Sequence, residues 1–247
     1  SGFSTDAIHA GYEPDSLYGP INTPIYASTT FAQDGLAKLR GGYEYTRVGN
    51  PTITALEKTV AALEGSDYAV AFASGMAAET AAILTLAQAD DHVVTSPRLY
   101  GGTETLFLHT LPKPGIEFTF VDNPDDPASW QAAVKPNTKA FYGETFGNPI
   151  ADILDIPAVA QVAHANQVPL IVDNTMATAA LVRPLELGAD IVVLSTTKFY
   201  TGNGAAIGGA IVDGGTFDWT VERDGEPVFP LFTTPDPAYH GLKYADL

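Results

Sequence analysis

The sequence predicts an α/β fold, with a mostly parallel seven-stranded sheet, helices on both of its faces and an irregular N-terminal arm. After residue 52, seven short apolar runs alternate with helix-like segments, which is typical of parallel strands joined by helical crossovers. Hydrophobic residues make up 45% of the 247 residues and charged residues only 17%, so a large packed core is expected. The first fifty residues show no such alternation.

Residues 1–51 are predicted to form the arm. They contain Pro14, Pro20 and Pro24 and no sustained helical period. Because a segment of this kind does not build a core of its own, we expect it to lie against a neighbouring subunit. Its start lacks the basic and then apolar residues of a signal peptide, and no apolar run is long enough to span a membrane. A soluble, cytoplasmic protein is therefore expected.

Residues 52–247 are predicted to form the α/β domain. Its first helix is expected over 52–63, where Leu56, Val60 and Leu63 recur at helical spacing before Gly65. The predicted strands are Tyr68–Phe72, His92–Thr95, Glu117–Val121, Lys139–Tyr142, Leu170–Val172, Ile191–Leu194 and Ala206–Val212. The predicted helices between them include Met76–Ala87, Pro127–Val134 and Ile156–Asn166. Beyond Gly214 the chain is rich in proline and aromatic residues, and the alternation does not return.

Charge and residue usage argue against several classes of function. Asp and Glu number 29 against 12 Lys and Arg, and the net charge of −17 is unsuited to nucleic acid or an anionic membrane. A bound phosphate would have to be held locally, by backbone N–H groups and a few side chains. The sequence has no cysteine and its five histidines are scattered, which argues against thiol chemistry and a metal site.

Ligands of open α/β sheets bind beyond the carboxyl ends of the strands, and three predicted strand ends carry suitable residues. After Phe72, the sequence Ala73-Ser74-Gly75-Met76 leads into a helix. The first N–H groups of a helix are unpaired and can bind a phosphate. An ordinary strand-to-helix turn explains this piece equally well.

The other two strand ends carry an acid and a lysine. Asp173, in Val172-Asp173-Asn174-Thr175, either caps a helix or is a carboxylate that pairs with a cation such as a pyridinium nitrogen. Lys198, in Ser195-Thr196-Thr197-Lys198, either extends into water or provides a nucleophilic amine. The hydroxyls of Ser195 and Thr197 could bind an anion beside it.

The three strand ends together match the needs of one cofactor. Pyridoxal phosphate (PLP) requires a phosphate site, a partner for its ring nitrogen and an amine for its aldehyde. An anion site, a single carboxylate and a lysine flanked by hydroxyls follow each other in the sequence in that order. The combination predicts a PLP site in which Lys198 forms the Schiff base.

The sequence resembles the cystathionine γ-synthase / O-acetylhomoserine sulfhydrylase family of Cys/Met-metabolism enzymes, which are PLP-dependent transferases of fold type I. The resemblance covers essentially the whole sequence. Its motifs are Tyr43-Glu44-Tyr45-Thr46-Arg47-Val48-Gly49-Asn50-Pro51-Thr52, Ser74-Gly75-Met76, Arg98-Leu99-Tyr100-Gly101-Gly102-Thr103, Asn148-Pro149, Asp173-Asn174-Thr175 and Ser195-Thr196-Thr197-Lys198.

The resemblance implies a role for each site residue. Lys198 would bind PLP and later move the substrate's protons, Asp173 would hold the ring nitrogen protonated, and Tyr100 would stack on the ring. The other implied contacts are Ser74, Gly75, Met76, Ser195 and Thr197 around the phosphate, Asn148 near the phenolic oxygen, and Thr175 beside Asp173. Tyr45 and Arg47 would reach the phosphate of a neighbouring subunit, and Tyr45 or Tyr100 would act as an acid near the leaving group. No metal is implied.

The resemblance also implies a reaction. Residues 2–73 are most similar to cystathionine γ-synthases, whereas the chain from about Asp91 onward, including Thr216–Leu247, is similar to O-acetylhomoserine sulfhydrylases. The expected reaction is γ-replacement on O-acetylhomoserine by sulfide or a thiol, giving homocysteine and acetate in methionine biosynthesis. The expected assembly is a homotetramer built from two dimers, each with shared active sites. By this resemblance, the family's usual C-terminal domain, which supplies an arginine for the substrate's carboxylate, is expected to be absent from these 247 residues.

Several alternatives stay open at this stage. Cystathionine γ-synthase would use cysteine as the nucleophile, and methionine γ-lyase would use none. A non-catalytic fragment that binds PLP or only oligomerises is the alternative outside the enzymes. A nucleotide-binding module is disfavoured, because Gly202-Asn203-Gly204-Ala205-Ala206-Ile207-Gly208 misses the Gly-x-Gly-x-x-Gly spacing and precedes a predicted strand.

Overall fold

The structure, a computed structural model, describes residues 2–246, so the end positions Ser1 and Leu247 of the predicted arm and domain lie outside the described residues. The strands are β1 (Gln33–Gly35), β2 (Lys38–Leu39), β3 (Tyr68–Phe72), β4 (His92–Thr95), β5 (Glu117–Phe120), β6 (Thr138–Glu144), β7 (Leu170–Asp173), β8 (Ile191–Leu194), β9 (Gly209–Asp213), β10 (Glu222–Arg223) and β11 (Glu226–Pro227). The α-helices are α1 (Phe3–His9), α2 (Pro51–Glu64), α3 (Gly75–Leu86), α4 (Gly101–Thr105), α5 (Pro127–Ala132), α6 (Ile156–Ala165), α7 (Thr178–Leu181) and α8 (Pro230–Thr233). A π-helical turn, Leu106–Thr110, continues α4, and short 3₁₀ turns span Pro184–Leu187, Pro237–Tyr239 and Tyr244–Asp246.

Seven of these strands form one central sheet, in the order β3-β9-β8-β7-β6-β4-β5. Strands β8, β7, β6, β4 and β5 pair in parallel, while β9 is antiparallel to both β3 and β8. The predicted α/β fold with a mostly parallel seven-stranded sheet is therefore confirmed. The carboxyl ends of β3, β6, β7 and β8 meet at one edge, where the three predicted strand ends lie.

Helices cover both faces of this sheet because its strands are apolar on both sides. Neighbouring strand residues point to opposite faces, so Val93 and Tyr142 enter one core while Val94 and Phe141 enter the other. The first core includes Ile83 of α3, and the second is filled by α5 and α6, whose Trp130 stacks on Phe141 at 5.5 Å. Burial on both faces fixes the strand register and with it the positions of the strand-end residues.

Helices α2 and α3 have residues at their ends that suit those positions. In α2, the Asn50 side chain accepts a hydrogen bond from the Thr52 N–H at 2.9 Å, and Gly65 ends the helix with a φ of 86°. In α3, the Ser74 hydroxyl accepts from the Ala77 N–H at 3.1 Å. Gly209 lets β9 pass close to this turn, since a Cβ there would lie 2.1 Å from the Ser74 carbonyl oxygen.

The structure differs from the predicted elements mainly at the two ends of the chain. The arm contains a seven-residue helix, α1, that the sequence did not predict; none of its residues is buried, and it packs against α2. The guanidinium of Arg183 also lies 5.7 Å from the Phe3 ring. The last central strand starts at Gly209 and not at residue 206, because residues 202–208 form an exposed loop in which Gly202 and Gly204 have positive φ.

The segment after Gly214 folds back onto the central domain. It forms the β10–β11 hairpin and places four aromatic side chains against the core around Phe107 and Leu111. These side chains are Phe217, Trp219, Phe229 and Phe232, with neighbouring ring centroids 4.7 to 6.3 Å apart. Across residues 2–246, no helix is both long enough and apolar enough to cross a membrane.

Candidate active site

A cavity of about 380 Å³ lies at the carboxyl edge of the sheet and collects the predicted site residues. All of the predicted residues except Tyr45 and Arg47 line it. They are Ser74, Gly75, Met76, Tyr100, Asn148, Asp173, Thr175, Ser195, Thr197 and Lys198. A second cavity, of about 490 Å³, lies between α2 and residues 199–208, but none of the described residues that line it is charged.

The N-terminus of α3 lies at one end of the cavity. Its first N–H groups have no partner within the helix, and Ser74 caps only one of them. Gly75 packs directly on the turn after β8, where a Cβ would lie 2.6 Å from the Cβ of Ser195. Glycine at this position therefore lets the helix terminus and the Ser195 and Thr197 hydroxyls lie at the same end of the cavity.

Thr175 connects the predicted acid to the predicted lysine turn. Asp173 ends β7, and its Oδ1 accepts a hydrogen bond from the Thr175 N–H at 2.8 Å. The Thr175 hydroxyl in turn accepts from the Ser195 N–H at 2.8 Å. Burial raises the pKa of Asp173, while its hydrogen bonds with Thr175 lower it. These bonds fix Asp173 relative to the residues that precede Lys198.

Lys198 lies in the turn that follows β8. The turn is held by backbone bonds from the Lys198 N–H to Ser195 and from the Gly202 N–H to Lys198, at 3.3 and 2.9 Å. Thr197 adds a bond from its hydroxyl to the Gly208 carbonyl at 3.2 Å. The Lys198 side chain lines the cavity and forms no ion pair with any of residues 2–246.

Two segments bring the remaining predicted residues to the cavity. Tyr100 precedes α4 with 51% of its surface exposed, and its ring lies so close to Gly102 that a Cβ there would be 2.4 Å away. Asn148 sits in the 147–152 loop, before a cis peptide bond to Pro149. An ion pair between Arg98 and Asp152 holds this loop.

The cavity also contains residues that sequence reasoning missed. They are Glu79, Thr103, Glu144, Phe146, Met176 and Ile207. Burial, with repulsion from other acids, raises the pKa of Glu79 to about 7 and that of Glu144 to about 8. Glu144 ends β6 as Asp173 ends β7, so the strand-end argument could have found it. Glu79 follows Gly75 by one helical turn, which places both residues on one face of α3.

Tyr45 and Arg47 lie outside the cavity. Both are exposed on the arm, where the Arg47 guanidinium lies 5.0 Å from the centre of the Tyr45 ring. Within one chain the structure therefore does not bring these two residues to the other predicted site residues. Over residues 2–246, no group of three or more potential ligand side chains could hold a metal ion.

Comparisons with known proteins agree on one family. The model of the family described as "Cys/Met metabolism PLP-dependent enzyme" matches residues 4–225. O-acetyl-L-homoserine sulfhydrylase of Corynebacterium glutamicum is 67% identical over 100% of this chain and 58% of its own length. Cystathionine gamma-synthase of Mycobacterium tuberculosis is 47% identical over 86% of this chain and 54% of its own length.

A solved structure adds a fold comparison and a cofactor. A putative O-acetylhomoserine (thiol)-lyase from Campylobacter jejuni, 36% identical, superposes with a TM-score of 0.91 over 100% of this chain and 61% of that one. That structure contains N'-pyridoxyl-lysine-5'-monophosphate. The chain thus spans less than two thirds of the length of each of these relatives.

Proposed function

Because the chain belongs to the Cys/Met metabolism PLP-dependent enzyme family, we propose that it serves the synthesis of homocysteine and acetate from O-acetylhomoserine and sulfide. The observation that carries the proposal is the 67% identity to an O-acetyl-L-homoserine sulfhydrylase along the whole chain. Such an enzyme is a PLP-dependent transferase of the aminocarboxypropyl group and belongs to methionine biosynthesis.

The donor set of the cavity fits PLP. The unpaired N–H groups of α3 and the hydroxyls of Ser195 and Thr197 suit a phosphate, and a Cβ at residue 75 would close this cradle. Asp173, stabilised by Thr175, suits the cationic ring nitrogen. Lys198 is the one lysine or arginine among the described residues that line the cavity. The lysine-bound pyridoxyl group of the Campylobacter jejuni structure supports its assignment to Lys198.

The residues of the chain then divide the chemical tasks. When bound, PLP accepts the electron pair that is left on the substrate's α-carbon after deprotonation. Lys198 would hold the cofactor, take the α-proton once the substrate amine has replaced it, and return a proton later. Asp173 would keep the ring nitrogen protonated, and Tyr100 would cover the ring. Asn148 would orient the phenolic oxygen.

The leaving acetate and the entering sulfide define the second half of the reaction. Departure of acetate follows loss of a β-proton, and a positioned acid near the γ-carbon would speed it. Tyr100 is half exposed at the cavity and is the candidate from this chain, while Tyr45 is the candidate from a neighbouring subunit. Sulfide would add to the γ-carbon from which the acetate left.

We propose that residues 1–51 complete the site of a neighbouring subunit, with Tyr45 and Arg47 reaching its phosphate. The exposed position of both side chains supports this, because neither lines the cavity of its own chain. The arm also exposes large apolar side chains, namely Ile8, Leu17, Tyr18, Ile21, Ile25, Leu36 and Val48. A dimer would be the smallest active unit, and a homotetramer built from two such dimers would be the assembly, in the cytoplasm.

Replacement of Lys198 tests the proposal. The wild-type protein, incubated with PLP and reduced with borohydride, should carry a pyridoxyl group on Lys198, and it should convert O-acetylhomoserine and sulfide into homocysteine. The variant Lys198→Ala should lose both, whereas Lys113→Ala, an exposed lysine far from the cavity, should lose neither. Homocysteine formation by Lys198→Ala at the wild-type rate would refute the assignment.

A second candidate function is cystathionine γ-synthase, favoured by the 47% identity to the mycobacterial enzyme over 86% of the chain. The two differ in the nucleophile that replaces acetate. Supplying O-acetylhomoserine with equal sulfide and cysteine, and measuring homocysteine against cystathionine, separates them. Predominance of cystathionine would favour the second candidate.

A further inference from the structure

Glu79 is the most buried ionisable side chain that lines the cavity among the described residues, with only 2% of its surface exposed. It lies on the first turns of α3, within the apolar sequence Gly75–Leu86. The comparisons assign it no role, and the proposed mechanism does not use it. A buried acid in a cofactor cavity nevertheless affects every charge around it.

The two carboxyl oxygens of Glu79 have different surroundings. Oε2 accepts hydrogen bonds from the hydroxyls of Thr103 and Tyr142, each at 2.9 Å. Oε1 is buried and has no hydrogen-bond partner among residues 2–246. A charged carboxylate would leave a buried negative oxygen unpaired, which is strongly unfavourable. A proton on Oε1 removes that charge and leaves Oε2 as the acceptor of both hydroxyls.

Other acids face Glu79 from the adjacent strands. Asp173 of β7 and Glu144 of β6 share the cavity, and Lys198 is its one lysine or arginine among the described residues. Tyr142, also on β6, is a buried phenol whose pKa is raised by desolvation and by these acids. Asp173 raises the pKa of Glu79 further, after burial as the main cause. The cavity therefore cannot keep all three carboxylates ionised near neutral pH.

The hydrogen bonds decide which acid keeps its charge. Asp173 is held by the Thr175 N–H and side chain, which favour the ionised form. Glu144 accepts from one backbone N–H, that of Tyr100. Glu79 receives two hydroxyls on one oxygen and nothing on the other. Burial raises the pKa of Asp173 and its bonds with Thr175 offset part of that rise, whereas one carboxyl oxygen of Glu79 has no partner, so Glu79 is better suited than Asp173 to the neutral form.

We propose that Glu79 is a positioning residue of the cofactor cavity that works in its neutral form. Its Oε1 carries a proton, its Oε2 holds the hydroxyls of Thr103 and Tyr142, and the negative charge opposite the ring nitrogen is left to Asp173. The inference rests on the proposed binding of PLP in this cavity, but it does not depend on which nucleophile the enzyme uses.

The variant Glu79→Gln tests this, because its amide is always neutral and can still accept both hydroxyl hydrogen bonds. Infrared difference spectra of wild-type minus variant holoenzyme should contain the C=O band of a protonated carboxyl at about pH 6 and lose it by about pH 9. PLP affinity of the variant, titrated from the visible band of the lysine-bound cofactor, should stay within about twofold of wild type at the lower pH. Glu79→Leu, which removes the acceptor, should weaken PLP binding about tenfold.

Two controls make the result specific. Glu104→Gln, an exposed glutamate on α4, should leave the acid band and the PLP affinity unchanged. In the doubly substituted Glu64→Gln/Glu144→Gln protein, Glu79 is the one glutamate with a raised pKa among residues 2–246. Isotopic labelling of the glutamate carboxyl groups then separates its band from those of Asp173 and Asp190, so it can be titrated even if Glu79→Gln fails to fold.

The inference is overturned if the difference spectrum at about pH 6 shows an ionised carboxylate, or if Glu79→Gln folds and binds PLP more than about tenfold more weakly. Failure of the wild-type protein to bind PLP would overturn it together with the proposed function. If PLP binds and no homocysteine forms, only the proposed function fails.

Discussion

The carboxyl group of Glu144 accepts a hydrogen bond from the backbone N–H of Tyr100 at 2.5 Å. Glu144 is the last residue of β6 and is buried, while Tyr100 precedes α4 and is half exposed. A strand of the sheet thus fixes the start of the segment that presents the tyrosine ring. Because Tyr100 is proposed to cover the PLP ring, this bond links the sheet to the cofactor's position.

Shortening Glu144 is expected to release Tyr100. Glu144→Ala leaves the Tyr100 N–H without its acceptor, and we expect the rate of homocysteine formation to fall about tenfold, with a smaller change in KM. Glu144→Gln keeps an acceptor, and since burial already raises the pKa of Glu144 to about 8, it should remain close to wild type at neutral pH. Steady-state kinetics measures the rate and KM of each variant, and the circular dichroism of bound PLP reports the surroundings of the cofactor. Equal dichroism in all three proteins would contradict the link.

Asp173 is expected to matter more for proton removal than for cofactor binding. The change Asp173→Asn keeps the size and the Thr175 N–H bond but removes the charge that would stabilise a protonated ring nitrogen. Exchange of the substrate's α-proton in D₂O should slow by about a hundredfold or more, and PLP affinity should fall much less. Asp122→Asn, an exposed loop acid, serves as the matched control. A loss of affinity larger than the loss of exchange rate would argue for a binding role only.

Asp173 and Lys198 could be predicted because both follow apolar strands, and parallel strands place their carboxyl ends at one edge. The strand pattern also determines most of the fold, since burial on both faces leaves a clear apolar signal. Glu79 was missed because its position depends on how α3 packs on the sheet. Helix α1 was missed because it has no buried residue and no side-chain cap, so its stability depends on tertiary contacts such as those with α2 and Arg183.

Arg98 is expected to hold the loop that carries Asn148. Its guanidinium binds both carboxyl oxygens of Asp125, at 2.7 and 2.8 Å, and also pairs with Asp152 inside the 147–152 loop. A bidentate pair of this kind is geometrically restrictive. Arg98→Met should speed hydrogen exchange in residues 147–152 and weaken PLP binding severalfold, with little change in global stability.

Hydrogen exchange followed by mass spectrometry measures the Arg98 effect segment by segment. Arg40→Met is the control, because Arg40 pairs with Asp34 on the exposed arm and lies far from the loop in sequence. Unchanged exchange in 147–152, or faster exchange throughout the domain, would mean that Arg98 does not anchor this loop.

Glu64 is expected to make the cofactor-free protein less stable as the pH rises. It ends α2, is fully buried, and its Oε1 accepts from the Tyr200 hydroxyl at 2.7 Å. Burial is the main cause that raises its pKa from 4.5 to about 7, against the hydrogen bonds of Tyr200 and Asn174. Between these values the folded chain binds more protons than the unfolded chain, so the free energy of unfolding falls with rising pH.

The contribution of Glu64 to the free energy of unfolding is fully present below about pH 4.5 and is lost by about pH 7 to 8. Its size is roughly 3 kcal/mol at most. Urea denaturation at several pH values in this window, for wild type and Glu64→Gln, isolates the Glu64 contribution, because the amide does not ionise and can still accept a hydrogen bond from Tyr200.

Glu79 and Glu144 also make the protein less stable as the pH rises. Buried His92, whose pKa is lowered to about 4 mainly by desolvation, has the opposite effect at acid pH. Because these groups are present in both proteins, the effect of Glu64 is the difference between wild type and Glu64→Gln in the slope of the free energy of unfolding against pH. The variant should therefore show the flatter decline, and parallel curves would mean that Glu64 is already ionised in the folded chain.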